Sequence, residues 1–193
     1  IRLRSLSNNA TYGYLDGDGR RTPFFAPRGE IALARSGLAP DTDHQLALTA
    51  YDAAGNAIEV AFALRTEVPL ADVIVSEVRH DPSGPEPAQE YVELANGSDV
   101  EIALAGFSIS DRAETLGDVL PQGARIAPFG RVLLVPDAFD PDHADDVRVP
   151  NGVVLVRIGS SIASSGISNG GEALFLRDAS ARRVAEAPAI ASV

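Results

Sequence analysis

The chain has 193 residues, of which 45% are apolar and 22% charged, with no cysteine, no tryptophan and a formal net charge of −11. That composition suits folded protein, with a length favouring two domains of roughly 100 residues each. It excludes disulfides and thiolate metal sites. With no apolar run near 20 residues it offers no membrane-spanning helix, and its acidity argues against nucleic acid, whose backbone is bound by clustered Arg and Lys.

Val, Ile, Leu and Ala must build the cores, and short alternating runs bounded by Gly, Pro, Asn and Asp recur where three-turn amphipathic patterns are missing. The fold class expected is all-β, two tandem immunoglobulin-like β-sandwiches: domain 1–67 and domain 68–193. In the first, Ile1-Arg2-Leu3, Tyr12-Gly13-Tyr14 and Ile31-Ala32-Leu33 read as short strands. Leu46, Leu48 and Ala50 then alternate with polar neighbours, Ala54-Gly55-Asn56 turns the chain, and Val60, Phe62 and Leu64 resume the alternation. This is a hairpin with one buried face.

The passage Leu38-Ala39-Pro40-Asp41-Thr42-Asp43-His44 and the hairpin after it resemble the last two strands of a fibronectin type III domain. In that family a Tyr whose hydroxyl bonds back to the backbone stands where His44 stands here. The resemblance implies that the imidazole takes over that bond, and that the domain is partial, lacking a first strand. Thr66-Glu67-Val68-Pro69-Leu70 is the join, short enough to predict two sandwiches stacked as a semi-rigid rod.

In the second domain Val73, Ile74, Val75 and Val78 form a strand interrupted by Glu77, and after a Pro-rich loop Glu90-Tyr91-Val92-Glu93-Leu94-Ala95-Asn96-Gly97 forms another, closed by a turn signal. In Ile102–Asp111 the inward face switches at Gly106, so one strand can serve both sheets. Pro128-Phe129-Gly130 makes a tight corner, and Arg131–Val135 is apolar enough for a central strand covered on both sides. Val153–Val156, Glu172–Asp178 and a strand opening at Arg182-Arg183-Val184 complete the order.

Five of these segments, Ile74–Val78, Glu90–Asn96, Leu104–Asp111, Pro128-Phe129-Gly130 and Ile167–Asp178, are similar in kind and order to the lamin tail domain family. Phe107 stands where that family often has Trp. The resemblance implies an immunoglobulin-like module of the type found in nuclear lamin tails and in secreted or surface bacterial proteins, with no catalytic residues to carry over.

Candidate chemistry is sparse. Gly166-Ile167-Ser168-Asn169-Gly170 matches the G-x-S-x-G elbow of serine hydrolases, but a β-hairpin follows where the elbow needs a helix. Glu77, Glu90 and Glu93 could act as paired acids on a glycoside; the sequence shows no aromatic platform for a sugar, and Glu77 and Glu93 are expected to pair with Arg or face solvent. Asp137, Asp140, Asp142, Asp145 and Asp146, with His143, crowd one Pro-bounded loop. They are the metal-site candidate, with calcium as the ion, since a hard cation takes several oxygens from such a loop. Asp16-Gly17-Asp18-Gly19 is a shorter candidate of the same kind. The sequons at Asn9 and Asn96 carry no weight in a bacterial chain.

All 16 basic residues are Arg, which suggests a GC-rich bacterial gene. The charge is uneven, 7 Arg against 8 acids over residues 1–67 and 9 Arg against 19 acids beyond. The chain begins at Ile1 without Met or a signal sequence and is expected to be an interior piece of a longer protein. The function expected is a non-catalytic, extracellular or cell-surface bacterial module, structural or adhesive, requiring no cofactor. It would space or anchor neighbouring domains or self-assemble. The alternative is an accessory module that binds a protein or a cell-surface polymer such as polysaccharide, with calcium as its candidate aid.

Overall fold

A computed structural model describes residues 2–4, 11–27, 30–146, 148–163 and 165–188. It divides into two compact units, Ile1–Pro69 and Leu70–Val193. The described residues form sixteen β-strands and no helix, the all-β class that the alternation requires.

Unit 1 holds β1 (Arg2–Arg4), β2 (Thr11–Gly17), β3 (Arg20–Ala26), β4 (Glu30–Ala32), β5 (Asp43–Tyr51) and β6 (Ala57–Arg65). The antiparallel sheet runs β3-β2-β5-β6, and β1 pairs with β4. Period-two alternation puts Leu46 and Leu48 of β5 and Leu15 of β2 on one face, where Phe24, Leu33, Phe62 and Leu64 pack against them. Strand β3 is absent from the sequence reading because Pro23 lies inside it. At the sheet edge a missing N–H breaks no ladder, so Pro is tolerated. Asp18 and Gly19, at φ 48° and 69°, make the mirror-image turn that matches strand twist between β2 and β3. Between β5 and β6, Asp52 organises the expected turn by accepting the Ala54 and Asn56 N–H groups at 2.9 Å each and the Asn56 amide at 2.8 Å. These donors hold its carboxyl below the usual range.

Unit 2 is a sandwich. One sheet runs β14-β13-β8-β7, from β7 (Val73–Arg79), β8 (Tyr91–Asn96), β13 (Arg131–Val135) and β14 (Val154–Arg157). The other runs β11-β10-β15-β16, from β10 (Ser108–Ser110), β11 (Asp118–Val119), β15 (Leu174–Arg177) and β16 (Arg183–Ala187). A third, of β9 (Ile102–Ala103) and β12 (Arg125–Ile126), sits beside them. Val92, Leu94, Val132 and Leu134 of the first sheet meet Ile109, Leu174 and Leu176 of the second in one buried cluster. Each such side chain contributes about 1.5–3 kcal/mol by leaving water.

Three local expectations acquire physical detail. The interruption in β7 is a bulge at Ser76 that lets both Val75 and Val78 pack on the core. The Ile102–Asp111 run is two strands in different sheets, hinged at Gly106 with φ 76°. Strand β13 is central and covered on both sides: Val132 and Leu134 face the sandwich, while Leu133 and Val135 pack on Phe139 with Val149, Val153 and Leu155. At the expected turn after β8, Asn96 also holds the chain from within. Its buried amide donates to Val100 O (2.7 Å) and Ala127 O (3.0 Å), and its oxygen takes Ser98 N (2.8 Å), so it clamps two loops from beneath.

Candidate functional site

The cleft of unit 2 richest in chemistry lies where the loop before β8 meets the loop before β15. Its volume is about 400 Å³, and its walls carry Glu86, Glu90, Asp111 and Glu172 together with Ser168 and Asn169. The Glu86–Pro87 peptide is cis. Glu90 is 2% exposed and accepts the Ile167 N–H at 2.9 Å. Burial pushes its carboxyl up to about 7 against that opposing bond, and the negative charges of Glu86 and Glu172 push the same way. Gly166, at φ 97°, lets the backbone pass: a Cβ there would stand 3.0 Å from both Glu90 Oε1 and Pro87 Cβ. Glu86 accepts the Asn169 amide at 2.9 Å, and Glu172 accepts Ser168 N at 3.1 Å.

Ser168 sits exposed in a turn that leads into β15, so its hydroxyl is not lifted over a sheet by a strand-to-helix elbow. No histidine lines this cleft; His80 lines a neighbouring hollow of about 200 Å³ between β7 and the chain after β16. Glu93 binds Arg131 (2.6 Å) and the Ser76 hydroxyl (2.7 Å), while Glu77 accepts the Tyr91 hydroxyl. Burial, aided by Glu77, pushes the Tyr91 phenol up to about 12. Both glutamates therefore act in β-sheet side-chain pairs and neither faces Glu90's cleft.

The five loop aspartates are placed differently from one another. Asp146 turns inward, where its carboxylate takes Arg79 Nη2 at 2.6 Å and the backbone N–H groups of Ser83 and Gly84 at 3.0 Å each. Asp140 exchanges backbone hydrogen bonds with the buried Gln89 amide, at 3.1 and 3.0 Å, and caps Asp142 N. Asp142 pairs with Arg148 at 2.9 Å. Asp137 and Asp145 are exposed, and Asp137 is engaged through its backbone, with N–H to Gly159 O at 2.6 Å. Among the described residues no group of three or more His, Asp or Glu gathers around a point where a metal could sit. The signal missing from the sequence is the partner: Arg79 lies 67 positions from Asp146, and only the fold brings them together.

In unit 1, His44 is 2% exposed; its Nε2 reaches Ala39 O at 2.9 Å and its Nδ1 the Asp18 carboxylate at 3.0 Å. The imidazole makes the back-bond to the chain expected at this position. The Asp18 hydrogen bond, then that to Ala39, raises its pKa. Asp16 holds Arg21 through two contacts at 2.8 and 3.0 Å, so both aspartates of the shorter candidate loop are engaged by basic side chains, Asp16 by Arg21 and Asp18 by His44. Asn9 lies outside the described residues.

Among curated proteins, none matches the chain. Among solved structures, the chain is similar to a DUF4876 family protein from Bacteroides thetaiotaomicron VPI-5482, at 13% identity and a TM-score of 0.34, over 90% of this chain and 64% of that one. The Lamin Tail Domain family profile matches residues 67–189, which takes in all of the sandwich described above. The chain belongs to the lamin tail domain family.

Proposed function

We propose that the sandwich is a non-catalytic structural or adhesive module of a bacterial extracellular or cell-surface protein, which spaces or anchors neighbouring domains or packs into a surface assembly. One observation carries this reading: the acidic groups that could have served as acid, base or nucleophile hold loops in place. Glu90 fastens the Ile167 loop, Asp146 fastens the Pro-rich loop through Arg79, Ser83 and Gly84, and Glu172 fastens the Ser168 turn. Lamin tail domains are in general not enzymes, and their bacterial members are expected in secreted and surface proteins. Loops and sheet edges remain for partners; the acidic surface favours proteins or polymers without a phosphate backbone.

The test is a turnover screen of the purified chain on ester, glycoside and phosphate-ester substrates, paired with fractionation of the source cells. No turnover above buffer and recovery outside the cytoplasm are expected. Turnover abolished by Ser168→Ala or Glu90→Gln would overturn the reading.

A further inference from the structure

The outward face of the unit 1 sheet carries aromatic rings where a solvent face ordinarily carries polar side chains. Leu15, Leu46 and Leu48 occupy the inner face, so the alternation sends Tyr12 and Tyr14 of β2, Phe25 of β3 and Tyr51 of β5 to the other side. Register makes them a row: Phe25 stands opposite Tyr12, and Tyr12 opposite Tyr51. Tyr12 stacks on Tyr51 with centroids 5.3 Å apart and planes 18° from parallel; Tyr14 leans on Tyr51 at 6.3 Å. The Tyr14 and Tyr51 hydroxyls meet at 3.3 Å, and Arg21, pinned by Asp16, lies 3.8 Å over the Tyr14 ring. The three tyrosine rings are thus ordered, yet Tyr12 remains 49% exposed, and Phe25 beside it 65%.

We infer that this face is a binding surface for a neutral polysaccharide. Tyr12 and Tyr51, held in their stack before any ligand arrives, offer apolar area with little further entropy to lose. Three strands at about 4.8 Å spacing place Phe25, Tyr12 and Tyr51 over about 10 Å, the reach of two sugar rings side by side. The Tyr hydroxyls, Thr49 and the Asp16–Arg21 pair border the row with donors and acceptors for a sugar's edge. Charge selects against polyanions: Asp16 neutralises Arg21, and Glu59, opposite Thr49, adds negative charge at the margin. Area argues against a second copy of the chain or another folded protein. Two rings that bury about 150–250 Å² each when fully covered, and are already half-covered here, leave about 200 Å² of ring surface. A stable protein interface takes about 800 Å² from each partner.

This surface lies outside the lamin tail region, so it and the module role can fail separately. The full chain is incubated with insoluble cellulose, chitin and starch, and depletion from solution is measured. Retention on at least one is expected, with Tyr12→Ala and Phe25→Ala each weakening it about tenfold. Tyr12→Phe and the distant, exposed Glu114→Gln should keep it; the thermal midpoint should be unchanged in these two and in Phe25→Ala, and lowered in Tyr12→Ala only by the loss of its stack on Tyr51. In the unmutated chain, soluble oligosaccharides of the retained polymer should change tyrosine fluorescence. No retention on any of the three, retention undiminished in the Tyr12→Ala/Phe25→Ala double variant, no fluorescence change, or a dimer that this double variant dissociates would each overturn the inference.

Discussion

In unit 2 the polar groups Glu90, Asn96, Asp146 and Arg177 bond to backbone or side chains far away in sequence; Arg177, 6% exposed, donates to Ala113 O. In unit 1 most turn geometry is local: Asp18-Gly19 closes one hairpin, and Asp52 closes the other using residues up to four positions on. The difference follows from what the loops must do. Unit 2 joins strands of different sheets through long connections that would leave backbone groups unmatched without buried partners. The two unit 1 turns join adjacent strands of one sheet and need no distant partner. Buried charge in unit 2 is therefore architecture, whereas the outward aromatics of unit 1 have no such duty.

The contrast breaks most sharply at Asp146. Asp146→Ala leaves Arg79 partly buried without its partner and frees two N–H groups, and should lower unfolding free energy in a denaturant titration by about 3 kcal/mol. A loss below 1 kcal/mol would show that the loop is not held this way.

Glu90 comes next. The folded protein keeps its proton to about pH 7, against 4.5 for the ordinary carboxyl, so the native state binds more protons across that window. Stability should fall as pH rises from 4.5 to 7, by an amount on the order of 2 kcal/mol. Glu90→Gln keeps an acceptor for Ile167 N and should flatten this part of the pH–stability curve; a curve unchanged by the substitution would remove the account.

His44 supplies the counterpart in unit 1. Its folded pKa is raised above 6.5, so its contribution is fully present below that value and is lost as pH rises through the folded pKa. Asp18→Asn should shrink that loss, and an NMR titration of the imidazole should show its midpoint moving down. An unmoved midpoint would show that Asp18 does not set it.

The smallest effect belongs to Asp142, whose side chain is 66% exposed beside Arg148. Asp142→Ala should cost under about 1 kcal/mol. Because the described loop carboxylates do not gather around one point, calcium and chelator should give the same melting midpoint; a calcium-dependent rise that Asp142→Ala abolishes would make the loop a cation site.

Much of the strand order was legible because alternation and turn residues act over short distances: β5, β6, β8 and β13 follow directly from which positions are apolar. Strand β3 was hidden by Pro23, whose tolerance depends on an edge position that no local window contains. Asn96-Gly97 carried a true signal for a bend, but that the Asn96 amide reaches Ala127, 31 positions on, is decided by the fold. The spacing of the loop aspartates is visible in the sequence, whereas the pairing of Asp146 with Arg79, 67 positions away, is not.

The amino-acid sequence by itself determined the all-β class and membership of the lamin tail domain family, since periodicity, turn chemistry and motif order are properties of neighbours along the chain. Only the tertiary structure decided what the charged and aromatic groups do. Asp146 is a clip on Arg79, Ser83 and Gly84, and Glu90 a buried latch, while Tyr12, Phe25 and Tyr51 form one row. Whether such a group is matched, buried or exposed depends on strand register and on residues tens of positions away.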